Sequence, residues 1–111
     1  MTRPLKPNLK KPRAAPRLFM RSGPQTGQEL TIDKDVLLIG RGQICDIVID
    51  DPLVSRRHSQ IIWDGAHCTI EDLGSTNGTY LNREALTPHQ AYPLHNGDMI
   101  YLGQMAIRIY F

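Results

Sequence analysis

The chain has 111 residues, of which 41% are hydrophobic and 22% charged, enough for one domain around one core and too little for two. That balance excludes a disordered chain, no apolar run is long enough to span a bilayer as a helix, and two cysteines cannot build the multi-bridge framework of a disulfide-dependent secreted domain. The formal charge of +2 is uneven: Arg3, Lys6, Lys10, Lys11, Arg13 and Arg17 fall in an opening stretch without acids, so the remaining cations are outnumbered by 11 acidic residues.

Residues 1–16 read as a flexible, basic, proline-rich arm. Pro4, Pro7, Pro12 and Pro16 remove backbone donors and block helix, and few apolar groups are available to bury. No apolar stretch follows the cations, so the segment does not read as a secretory signal and the expected location is the cytoplasm. The second unit is residues 17–111, where short apolar runs alternate with Gly, Asn, Asp and Pro at the spacing of strands joined by turns. Strands are expected at residues 17–20, 29–32, 36–39 and 47–49. Residues 59–64 and 66–72 are expected to pair across Asp64-Gly65, a dipeptide suited to the positive φ angles of a tight hairpin. Residues 79–81 and 98–102 follow, separated by a turn at Asn82-Arg83-Glu84 and an irregular stretch over 87–95. The clearest strand is 105–111, where Met105, Ile107, Ile109 and Phe111 alternate with Ala106, Arg108 and Tyr110 to give one apolar and one mixed face. No stretch sustains helical periodicity. The strand count points to a two-sheet sandwich, whose loops gather at its ends and build its sites there.

Three loop segments carry more hydrogen-bonding residues than turns require: Gly40-Arg41, Ser55-Arg56-Arg57-His58, and Gly74-Ser75-Thr76-Asn77-Gly78-Thr79. With Gly97-Asp98, and with Cys45-Asp46-Ile47 and Asp72-Leu73-Gly74 between them, these segments resemble in order the pattern of the forkhead-associated (FHA) domain family. Each motif alone is weak, but four in sequence are specific, and the resemblance spans residues 17–111. It implies an all-β, two-sheet sandwich of about eleven strands, FHA/SMAD-like, with binding loops at one end and phosphothreonine on a partner protein as the ligand.

Matched position by position, the resemblance makes Arg41 the arginine that pairs with the phosphate, Ser55 the serine that hydrogen-bonds to it, and Arg56 a further phosphate contact. Thr76 and Asn77 resemble the residues that meet the phosphothreonine and the peptide backbone. These side chains suit the ligand: a phosphate near neutral pH carries about −1.5 to −2 charges and three strong acceptors, which guanidinium and hydroxyl donors complement. His58 is assigned to supporting the loops. Gly40, Gly74, Gly78 and Gly97 are assigned to turns or close backbone approach.

Other classes of function are read as follows. A hydrolase built on Ser55, His58 and an acid such as Asp46 would need an activated nucleophile on a strained turn, and no Gly-x-Ser-x-Gly elbow exists, so no enzyme is expected. The cysteines and histidines lack the paired spacing of a zinc site, so no metal or cofactor is expected. Cys45 and Cys68 read as reduced core residues. The arm lacks interleaved aromatics, so nucleic acid is not an expected partner, and neither is a membrane. Some bacterial members of the family bind a phosphothreonine in their own N-terminal tail; Thr2 lies in the arm without the acidic flanks of such tails, leaving a weak intramolecular or homotypic contact as a secondary expectation. The alternative function is a phosphate-independent interaction or self-assembly domain.

Overall fold

A computed structural model describes residues 14–111 of the chain; of the flexible arm expected over residues 1–16, residues 1–13, Thr2 among them, fall outside the described residues. Pro16 is buried, and its carbonyl accepts from the Ile32 amide at 2.9 Å.

Eleven strands run in chain order: β1 (Arg17–Met20), β2 (Glu29–Thr31), β3 (Val36–Gly40), β4 (Ile47–Val48), β5 (Ser59–Trp63), β6 (Cys68–Asp72), β7 (Tyr80–Leu81), β8 (Glu84–Ala85), β9 (Ala91–Pro93), β10 (Met99–Leu102) and β11 (Met105–Tyr110). They form a six-stranded sheet, β2-β1-β11-β10-β7-β8, and a five-stranded sheet, β4-β3-β5-β6-β9. All pairings are antiparallel except β3 with β4. No helix of the described residues is long and apolar enough to cross a membrane.

Period-two alternation places the core. Leu18 and Met20, Leu37 and Ile39, Ile61 and Trp63, Cys68 and Ile70, and Ile107 and Ile109 point between the sheets and are buried. A fully buried residue of this size contributes about 1.5–3 kcal/mol, so these pairs set each strand's register, because a slip of one residue would expose the whole set. Burial also pushes the Cys68 thiol up to about 12 and raises that of Cys45, which favours the protonated thiol at both free cysteines.

The expected strands are all present, some trimmed by a residue or two, and two more occur where turn and loop were expected. β8 is exposed throughout, so burial leaves no pattern in its sequence. Its partner β7 is joined by the two-residue turn Asn82-Arg83, in which Asn82 takes a φ of 55°, a conformation asparagine tolerates. β9 ends on Pro93, which fits only because this strand is a sheet edge. The β5–β6 connection is a four-residue loop, since Trp63 pairs with Cys68. Only Gly65 in it is left-handed, with φ 93°, and Asp64 Oδ1 closes the loop by accepting from the Ala66 and His67 amides at 2.8 and 2.6 Å.

Candidate functional site

The sheet register carries the three loop segments to one end of the sandwich. Ile39 pairs with Ser59, and Ser59 pairs in turn with Asp72, so the chain leaving β3, the chain entering β5 and the chain leaving β6 lie side by side.

The first two loops are tied through backbone. Arg41 N donates to Ser55 O at 2.9 Å and Gly42 N to Arg56 O at 3.0 Å. A Cβ on Gly40 would stand 2.2 Å from the Arg56 carbonyl oxygen, well inside van der Waals contact, so only glycine permits this approach. The Cys45 thiol donates to the same carbonyl at 3.1 Å.

His58 fastens the second loop to the third. Its side chain is fully buried; Nδ1 accepts from the Ser55 amide at 3.0 Å, so Nε2 carries the ring proton and donates to the Gly78 carbonyl at 2.9 Å. Both ring nitrogens are therefore spent on backbone, and the ring is not a base for the Ser55 hydroxyl. Asp46 is committed elsewhere, to Lys34 and the Leu38 amide. The three groups of a hydrolytic reading are not assembled.

Asp72 shapes the third loop from within. It is fully buried. Oδ2 accepts from the Gly74 and Ser75 amides, each at 3.0 Å, and Oδ1 accepts from the Ser75 and Thr79 hydroxyls, each at 2.6 Å. Burial pushes this carboxyl up, but the donors outweigh it and hold the group below its ordinary value. Ser75 Oγ in turn accepts from the Gly78 amide at 2.9 Å, and Ser59 and Thr79 share a hydroxyl contact at 3.2 Å. Gly74 and Gly78 supply the left-handed turns, with φ 83° and 88°.

On this frame stand the exposed side chains. Arg41 is exposed and uses Nε on the Val54 carbonyl at 2.9 Å, which restrains the guanidinium without engaging its terminal nitrogens. It takes part in none of the ion pairs among the described residues. Ser55 Oγ accepts from the Thr76 amide at 3.0 Å, so its hydroxyl proton stays available to a ligand. Asn77 Nδ2 donates to the Leu53 carbonyl at 2.8 Å, which leaves the amide oxygen free to accept. Arg56, Arg57 and Thr76 are solvent-exposed. A cation, a free hydroxyl donor and an oriented carboxamide on three mutually fastened loops suit a tetrahedral dianion on an extended chain.

Sequence reasoning named Arg41, Ser55, Arg56, Thr76, Asn77 and the supports Gly40, His58, Gly74 and Gly78. The structure brings them together across these three loops. The sequence motifs did not reveal the roles of Asp72, Ser75, Thr79 and Cys45. An aspartate two and three residues before Gly74-Ser75 is the signal of a side chain that caps its own turn, so Asp72 was within reach. The Cys45 contact left no sequence signal. Among the described residues no three His, Cys, Asp or Glu side chains gather as metal ligands.

The FHA domain profile matches residues 37–103. The chain is 36% identical over 96 residues to the oxoglutarate dehydrogenase inhibitor of Corynebacterium jeikeium, covering 86% of this chain and 65% of that protein. It is 37% identical over 90 residues to the glycogen accumulation regulator GarA of Mycolicibacterium smegmatis, covering 81% and 55%. The chain thus spans less than two thirds of the length of these relatives. A solved chain from a study of phosphothreonine-dependent FHA domain interactions superposes with a TM-score of 0.78 at 35% identity, covering 87% of this chain and 96% of that one. By its ordered motifs, its eleven-stranded sandwich and these matches, the chain belongs to the FHA domain family.

Proposed function

We propose that this chain is a non-catalytic adaptor module that binds a phosphothreonine on a partner protein and acts in serine/threonine kinase signalling in the cytoplasm. The single observation that carries this reading is the Thr76 amide resting on Ser55 Oγ at 3.0 Å. It fixes the third loop against the second, beside the loop that carries Arg41, and it leaves the Ser55 hydroxyl proton for a ligand. In this reading Arg41 and Ser55 hold the phosphate, Arg56 adds charge, and Thr76 and Asn77 meet the phosphothreonine and the peptide backbone. The relationship to a structure determined for phosphothreonine-dependent interactions supports it.

Each charge-assisted hydrogen bond contributes about 1.5–3 kcal/mol, offset by ordering of the peptide, so the expected affinity is about micromolar, near −8 kcal/mol. Burial of the threonine methyl favours phosphothreonine over phosphoserine by about 1 kcal/mol. Fluorescence anisotropy with matched phosphothreonine, phosphoserine and unmodified peptides tests this. The expected ranking follows that order, with Arg41→Ala weakening the phosphorylated peptides alone; a library in which no phosphopeptide exceeds its unmodified twin refutes it.

A further inference from the structure

Next to the third loop the same end of the sandwich holds a cavity of about 200 Å³. Its walls include Pro24, Ile49, Pro52, Leu53 and Met105, and Asp50 is exposed at its rim. Ile49 and Met105 are buried in the core, whereas Leu53 is 43% exposed, an aliphatic wall that the described residues leave partly uncovered. The cavity adjoins the phosphate-facing residues directly, because the Leu53 carbonyl is the acceptor that orients Asn77.

The two carboxylates here differ. Asp51 is spent on the fold: Oδ1 accepts from the Leu53 amide and Oδ2 from the Gln104 amide, both at 2.9 Å. The first bond shapes the loop before β5 and the second joins that loop to the β10–β11 turn, which gives the cavity two fixed sides. Asp50 has no such structural bond among the described residues, so its charge is available at the opening. An acidic side chain entering would meet two carboxylates. A short aliphatic one would cover part of the wall and leave Asp50 unanswered. A long aliphatic stem ending in a cation satisfies both, burying methylenes against apolar surface while its head stays at the rim.

We propose that this cavity receives a residue flanking the phosphothreonine of the bound peptide and that it selects lysine or arginine there. The inference rests on the phosphothreonine reading and adds the class of neighbouring residue.

The test is calorimetry with a set of phosphothreonine peptides in which Lys, Leu, Ala and Asp are placed in turn at each position near the phosphothreonine, with unmodified twins as controls. At one position Lys is expected to bind most tightly, then Leu, Ala and Asp. The Lys-over-Leu margin is expected to be about two- to fivefold, the scale of an exposed ion pair, and to shrink with added salt. Asp50→Asn, a surface change expected to leave the melting temperature unaltered, should abolish that margin while keeping the affinity for the Ala peptide. Retained phosphate discrimination with a flat profile, with Leu equal to or above Lys, or with a margin that survives Asp50→Asn, overturns this inference and leaves the phosphothreonine reading standing. Loss of discrimination between phosphorylated and unmodified peptides overturns the reading itself.

Discussion

The two ends of the sandwich close their loops by different means. At the end away from the candidate site, side chains that water reaches cap their turns: the exposed Asp64 accepts from Ala66 and His67, and the partly exposed Asp98 from the His95 amide at 2.8 Å. Asp64 fixes one loop, and Asp98 also accepts from Asn82 Nδ2 of the β7–β8 turn at 3.2 Å, a link made where solvent can replace it. At the site end the fasteners are buried: His58 ties one loop to another, from Ser55 to Gly78, and Asp72 braces the third loop from inside, from Gly74 to Thr79. The interior thus holds the binding loops in relation to one another, and the side chains that face solvent are left free for a ligand. Shape and binding are carried by different residues.

The largest effect that could break this comparison is at Asp72. Asp72→Ala strands the buried Thr79 hydroxyl, the half-buried Ser75 hydroxyl and two amides, and the expected cost is about 3–5 kcal/mol, read as a lower urea midpoint. Asp64→Ala at the other end is expected to move that midpoint much less, since water replaces its bonds. Equal losses would erase the distinction between the ends.

Gly40→Ala follows. Its methyl overlaps the Arg56 carbonyl, and overpacking of this kind costs about 1–3 kcal/mol. Because the overlap pushes the first two binding loops apart, peptide affinity should fall along with stability. Unchanged affinity in a destabilised protein would mean that the spacing of these loops does not matter to the ligand.

pH sharpens the separation. The carboxyls of Asp46, Asp51, Asp64 and Asp72 lie below the ordinary value of 3.8. Their stabilisation is fully present above that pH and is lost as pH falls through the lowered values. The second pKa of a phosphate is about 6, so peptide binding should weaken between pH 7 and 5 while the urea midpoint loses nothing through these carboxylates. The smallest effect is expected at Asp64→Asn, which should remove part of the fall in stability below pH 4 and leave the binding curve unmoved.

Most of this architecture was legible in the sequence because burial imprints alternation. Strands whose inward side chains enter the core, such as β5, β6 and β11, were readable almost to the residue. β8 and β9 were not, since two exposed residues in one and a single half-buried Tyr92 in the other carry no periodicity, and these strands owe their place to the Asn82 turn and to pairing with neighbours. The exposed site residues were legible only through the order of their motifs, as no single arginine or serine differs locally from a solvated one. The fastening by Asp72 had a local signal in its spacing from Gly74 and Ser75. The thiol of Cys45 on the Arg56 carbonyl depends on a loop crossing that no local pattern encodes.

The most direct test is the shift in melting temperature on adding a phosphothreonine peptide in large excess to the native protein and to Arg41→Ala. At about 100 times its dissociation constant a ligand stabilises by about 2.7 kcal/mol, which in a domain of this size is a rise of several degrees. The native protein should show that rise with the phosphorylated peptide and none with its unmodified twin, and Arg41→Ala should melt like the native protein without peptide and gain nothing from it. An equal rise with the unmodified peptide, or an undiminished rise in Arg41→Ala, would contradict the account.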